Sequence, residues 1–125
     1  MSQFALVTGA SSGIGKACAL ALLREGWSVA LTGRRLQALQ ATVAEAGPDG
    51  AARALPIACD VGQEAAVAAM FEQVVARFGR LDLLFNNAGV SPRATTPDEF
   101  SGQEWRDAVD TNLNGMFYCL SAAFR

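Results

Sequence analysis

Histidine is absent from this 125-residue sequence, which also holds a single lysine, Lys16, and a single tyrosine, Tyr118. Without histidine the chain lacks the side chain that most often serves as general base and metal ligand. Cysteine is sparse as well: Cys18, Cys59 and Cys119 are odd in number, and no two stand at metal-site spacing. They read as buried thiols of a protein in the reducing cytoplasm, and no metal is expected. Charge of one sign is missing too. The 10 basic and 12 acidic residues leave a net charge of −2, without the basic stripe that nucleic acid or anionic lipid requires. No apolar run reaches the roughly 18 residues of a spanning helix, and the first residues lack the basic start of a secretory signal. Neither nucleic acid nor membrane is therefore an expected partner.

What the sequence does hold is apolar side chains, 51% of the total, enough for the core of one domain. Near-continuous apolar runs at Phe4–Thr8, Ser28–Thr32, Ala54–Cys59 and Leu81–Asn86 read as strands of a parallel sheet, buried on both faces. Between the first two, Ile14, Ala17, Cys18, Ala21 and Leu22 fall on one helical face, with Gly26 as a stop. A second helix is expected over Arg35–Ala46, ended by the breaker run Gly47–Gly50. A third carries the stripe Val67, Met70, Phe71, Val74, Val75 and Phe78 and stops before Gly79. Three βα units in succession imply an α/β, doubly wound sheet. Asn87–Phe100 is irregular. Ser101 and Glu104 then form a capping box opening a fourth helix, whose expected apolar face is Trp105, Val109, Leu113, Met116, Phe117, Leu120 and Phe124. That helix is expected to run on to Arg125.

Chemistry concentrates where strands end. The stretch TGASSGIG, Thr8–Gly15, puts bare backbone at the turn from the first strand into the first helix. A helix N-terminus offers free N–H groups and a partial positive charge, so a phosphate is the natural guest, and dinucleotides bind at this place in doubly wound sheets. An acid at the end of the second strand would bind the ribose hydroxyl of NAD. Gly33 stands there instead, followed by Arg34 and Arg35. A glycine does not repel a 2′-phosphate, and an adjacent guanidinium binds one, so NADP is the expected cofactor, with Arg34 the foremost contact. Asp60 follows a strand and precedes a helix, where it could cap that helix. Asn86 and Asn87 could satisfy loop backbone. Asn112 falls on or near the apolar stripe of the fourth helix, where a buried amide needs partners or costs about 1–3 kcal/mol.

The glycine spacing, together with CDV (Cys59–Val61), NNAG (Asn86–Gly89) and NLNG (Asn112–Gly115) in that order, resembles the short-chain dehydrogenase/reductase family, in its single-domain oxidoreductase branch. The resemblance spans nearly the whole chain. It implies a Rossmann-type fold in which Gly9, Ser11, Ser12, Gly13, Ile14 and Gly15 hold the cofactor phosphates. It further implies that Asp60 meets the adenine amine with Val61 alongside, that Asn86 is architectural, and that Asn87, Ala88 and Gly89 lie beside the cofactor ribose. Asn112 corresponds to the asparagine that holds a water leading to the catalytic lysine, often at a local break in the helix.

The family's proton-donating machinery is a serine, and a tyrosine followed four residues later by lysine, all downstream of that asparagine. Here Ala122 stands four residues after Tyr118, and Lys16 lies in the first helix, where it is expected to be solvated. Residues 1–125 are therefore expected to form an incomplete NAD(P)-binding domain, the leading part of a longer enzyme, truncated after the fourth strand and the helix that follows. The complete enzyme would move hydride between nicotinamide and a small carbonyl or alcohol, as a homo-oligomer, while the 125 residues alone would not turn over. A non-catalytic NADP-binding or sensing domain, and an isomerase or dehydratase on the same fold, are the alternatives.

Overall fold

The computed structural model describes residues 2–125. Four parallel strands, β1 (Phe4–Thr8), β2 (Ser28–Gly33), β3 (Ala54–Ala58) and β4 (Leu83–Phe85), lie in the order β3-β2-β1-β4. Register is continuous across the sheet: Ala5 pairs with Val29 and Leu83, and Val29 pairs with Ala54. The order reverses between β1 and β4, so the C-terminal ends of those two strands border the crevice where such sheets bind ligands.

Alternation along β1 and β2 divides the core into two layers. Ala5, Val7, Val29 and Leu31 face α1 (Gly13–Arg24) and α2 (Leu36–Glu45), against Ala19, Leu23 and Leu39. Leu6, Ala30 and Ile57 face the opposite side. There they meet Val67, Met70 and Val74 of α4 (Glu64–Phe78) and Cys119 of α6 (Gly115–Ala123). The doubly wound α/β arrangement expected from the sequence is thus present, with β3 and β4 shorter than their apolar runs.

Four details differ from the sequence reading. The buried face of α1 is Gly15, Ala19 and Leu23, while Ile14 is 69% exposed. A Cβ on Gly15 would stand 2.1 Å from the Gly9 carbonyl oxygen, so the contact of bare α1 backbone with the β1 turn fixes the rotation of the helix. The expected breaker run is itself a short helix, α3 (Gly47–Ala51), because Pro48 in its first turn is pre-set for helical φ and Asp49 suits its N-terminus. Lys16 is not simply solvated: it pairs with Glu45 across α1 and α2.

The fourth difference is the largest. The single fourth helix is α5 (Gly102–Val109), a π turn (Asp110–Asn114) and α6 in succession, and α6 ends short of Arg125. A π turn fits one extra residue into the helix and rotates everything after it. The residues turned inward are Thr111, Gly115 and Cys119, with Tyr118 and Ala122 packed beside them. Trp105, Leu113, Met116, Phe117, Leu120 and Phe124 are exposed instead, Phe124 by 85%. Small residues win the inner face because α6 lies close: a Cβ on Gly115 would stand 2.7 Å from a Val61 methyl. No helix among the described residues is long and apolar enough to cross a membrane.

Candidate dinucleotide site

The β1 turn is held by one buried hydroxyl. Thr8 Oγ1 accepts hydrogen bonds from the backbone N–H groups of Asn87 and Ala88, both at 2.8 Å, while Asn87 Nδ2 donates to the Thr8 carbonyl at 3.3 Å. These bonds tie the end of β1 to the segment leaving β4. Gly9 follows with φ +66°, and a Cβ there would meet Ala88 Cα at 3.1 Å, so both its conformation and its surroundings exclude a side chain. The Ala10 N–H donates to the Thr32 carbonyl at 3.0 Å, anchoring the loop to β2.

From there Ser12 enters α1 in extended conformation as its N-cap, and its side chain makes no capping hydrogen bond. No acidic residue stands in the first turn. The orphan N–H groups of that turn and the positive end of the helix dipole are therefore offered outward, toward an anion.

The loops enclose a cleft of about 270 Å³ at the switch point of the sheet. Of the residues the sequence singled out, Gly9, Ser11, Ser12, Arg34, Arg35, Val61, Asn87, Ala88 and Gly89 line it. Gly13, Ile14 and Gly15 do not line it: they form the first residues of α1, and Gly15 is buried under Gly9. Asp60 stands behind the lining. Its Oδ1 accepts from the Gly62 N–H at 3.0 Å, closing an Asx turn, and lies 3.8 Å from Arg34 Nε. Asp60 does not cap α4, whose N-cap is Gln63.

Asn112 is exposed, contrary to the buried position expected on an apolar stripe, because the π turn rotates it outward. Its amide is nonetheless paired through both its oxygen and its nitrogen. Oδ1 accepts from the Val90 N–H at 2.7 Å and Nδ2 donates to the Val90 carbonyl at 2.9 Å. This two-point clamp fixes the strand of chain beyond Gly89, whose own missing Cβ would stand 3.3 Å from Asn112 Oδ1. Asn86 fastens the other end, donating from Nδ2 to the Met116 carbonyl at 2.8 Å. The helix break expected at Asn112 is the π turn, centred on that residue.

Two threonines escaped the sequence reading. Thr8 is fully buried and looks in sequence like the last residue of a strand. Its hydroxyl beside the glycine loop was the available signal. Thr111, 5% exposed, lines the cleft and accepts a 2.7 Å hydrogen bond from Arg34 Nη2. Nothing in its sequence neighbourhood announces a partner 77 residues away. Cys59 also lines the cleft, and burial pushes its thiol up from the ordinary value, aided by the Asp60 carboxylate. The described residues contain no cluster of potential metal ligands.

The family model described as short chain dehydrogenase matches residues 3–125. The 3-oxoacyl-(acyl-carrier-protein) reductase FabG of Staphylococcus aureus is 40% identical over 127 aligned residues, covering 98% of this chain and 50% of that protein. An alcohol dehydrogenase from the archaeon Thermococcus sibiricus, solved with 5-hydroxy-NADP, superposes with a TM-score of 0.91 at 31% identity, covering 99% of this chain and 52% of that one. A 3-ketoacyl-(acyl-carrier-protein) reductase from Brucella melitensis, solved with NADH, gives 0.87 at 29% identity, covering 95% and 47%. The chain spans about half the length of the relatives it matches.

Proposed function

Since the chain belongs to the short-chain dehydrogenase/reductase family, we propose that it is the cofactor-holding part of an NADP-dependent oxidoreductase. The observation that carries this reading is the convergence on one cleft of the glycine turn, the Asn87–Gly89 backbone and the Arg34–Arg35 pair. Relatives solved with NADH and with 5-hydroxy-NADP support a nicotinamide dinucleotide as the guest.

The residues present fit that guest. Ser11, Ser12 and the open first turn of α1, Gly13–Gly15, would receive the pyrophosphate. Asn87, Ala88 and Gly89 would hold the ribose and Val61 the adenine, with Asp60, behind the lining, the partner we assign to the adenine amine. Arg34 and Arg35 take the 2′-phosphate; one charge-assisted hydrogen bond contributes roughly 1.5–3 kcal/mol, about ten- to hundredfold in affinity. A nicotinamide cofactor in this position supplies or accepts the hydride in an exchange with a carbonyl or alcohol carbon.

Asn112 serves that chemistry indirectly. Its side chain holds both backbone groups of Val90, so its contribution is to fix the chain beyond Gly89, where it would also hold a water leading to the catalytic lysine of the whole protein. Proton donation to the substrate calls for a further group: Tyr118, on α6, is partly buried against the core and is not among the residues lining the cleft. We therefore assign the proton-transferring residues to another segment of the whole protein, residues 1–125 to an NAD(P)-binding domain without turnover of its own, and the whole to a cytoplasmic homo-oligomer acting on a small molecule.

Arg34→Ala in the whole protein tests the cofactor assignment. It is expected to weaken NADPH about ten- to hundredfold relative to NADH, without weakening NADH itself. Equal losses for both cofactors contradict a phosphate-binding role.

A further inference from the structure

Arg34 already has partners. Its Nη2 donates to Thr111 Oγ1 at 2.7 Å, and its Nε lies 3.8 Å from Asp60 Oδ1. Arg34 leaves the end of β2, whereas Thr111 stands on the π turn between α5 and α6, and both line the same cleft. The guanidinium thus reaches from one wall to the other at the adenosine end. Thr111 is buried, and its hydroxyl has no other partner among the hydrogen bonds of the described residues.

We propose that Thr111 is the catch of a latch: in the cofactor-free protein it holds Arg34 across the adenosine end of the cleft, and a dinucleotide binds only after that bond opens. The inference rests on the cleft being a dinucleotide site, as argued above, and adds a residue and a free-state conformation to it. The open fraction then scales the apparent affinity of every dinucleotide alike, because binding is reduced by the population of the competent state. The 2′-phosphate of NADP gives the displaced guanidinium a new anionic partner in place of Asp60. NAD opens the same latch and supplies none. The latch therefore weakens both cofactors equally, and the phosphate restores only one.

This separates Thr111 from a residue that holds Arg34 ready for the phosphate. A positioning role makes Thr111→Val harmful to NADP binding and neutral to NAD binding. A latch makes the same isosteric change helpful to both. Removing one net hydrogen bond from the closed state tightens binding by roughly three- to tenfold.

The test is equilibrium titration of NAD⁺ and NADP⁺ into the whole protein and its Thr111→Val, Thr111→Ser, Arg34→Ala and double Arg34→Ala/Thr111→Val variants. Thr111→Val is expected to tighten both cofactors by the same three- to tenfold factor, and Thr111→Ser, which keeps the hydroxyl, to behave as the parent. In the Arg34→Ala background Thr111→Val is expected to change NAD⁺ binding no further, since nothing remains to be latched. Unchanged or weaker NAD⁺ binding in Thr111→Val overturns the latch. So does a gain that persists without Arg34, which would mean a direct apolar contact with adenine. The underlying reading fails differently: if neither cofactor binds the parent, the cleft is not a dinucleotide site. If Arg34→Ala leaves the NADP⁺/NAD⁺ ratio untouched, the 2′-phosphate assignment falls while the Thr111 comparison still decides the latch.

Discussion

The half of the molecule built on β1, α1 and β2 and the half built on α5, the π turn and α6 bury opposite kinds of residue. In the first, large aliphatic side chains fill the interior: Leu6, Leu23 and Leu31 are all but inaccessible. In the second, α5 buries nothing, the inner positions go to Thr111, Gly115 and Cys119, and the large apolar side chains stand outside. α5 is largely polar, but α6 is as apolar as α1, and in both halves a bare glycine marks a close approach: Gly15 against the Gly9 carbonyl and Gly115 against Val61. The π turn then decides which residues face inward.

The largest expected effect strikes the close approach in the first half. Gly15→Ala puts a methyl 2.1 Å from the Gly9 carbonyl, against backbone that Thr8 and Thr32 hold in place. Overpacking costs about 1–3 kcal/mol where neighbours can yield, and here they cannot, so thermal unfolding should show a loss at or above that range together with loss of dinucleotide binding. A Gly15→Ala protein as stable as the parent would remove the sharpest feature of the comparison.

A second effect belongs to the other half and appears only at high pH. Burial pushes the Cys119 thiol up to about 12 from an ordinary 9.0. The folded state thus holds the proton more tightly than the unfolded one. Stability is full below about pH 9 and falls as pH climbs from there toward about 12, at up to about 1.4 kcal/mol per pH unit. Cys119→Ala should flatten that alkaline decline relative to the parent, read from denaturant midpoints at pH 8, 9 and 10. Parallel curves for the two proteins would mean that Cys119 is less enclosed than its place between α6 and the sheet implies.

Smaller still is the clamp of Asn112 on Val90. Asn112→Ala removes two hydrogen bonds at an exposed position, at about 1 kcal/mol, and its signature is local. The Val90 amide should exchange with solvent faster while amides of β1 and β2 keep their protection. The smallest effect is expected at Trp105, 63% exposed on a helix that buries nothing. Trp105→Ser should move the stability of the isolated chain by no more than about 0.5 kcal/mol. A larger loss would show that the α5–α6 surface is covered within the chain itself.

How far the sequence discloses this arrangement follows the same division. Strand positions were legible because a buried parallel strand is a short apolar run: β1, β3 and β4 lie within the runs expected, and β2 runs one residue further, to Gly33. The face of α1 was one residue out, since hydropathy counts Ile14 as core and Gly15 as nothing, while the structure reverses their roles. The face of α5–α6 was misread more deeply, because no hydropathy pattern encodes a π turn. Within the site, residues adjacent in sequence were legible: the glycine turn, Arg34–Arg35 and Asn87–Gly89. Thr8 and Thr111 were not, since each matters through a partner more than 70 residues distant.

The central claim is that the cleft at the β1/β4 switch point is a dinucleotide site with a preference for the 2′-phosphate. Its most direct measurement is a backbone amide NMR titration of the chain with NADP⁺ and, separately, NAD⁺. The expected result is one contiguous set of shifted resonances at Ser11–Gly15, Arg34–Arg35, Val61 and Asn87–Gly89, saturating at lower NADP⁺ than NAD⁺ concentration. Shifts confined to residues outside this cleft, or no saturable shifts with either dinucleotide, would contradict it.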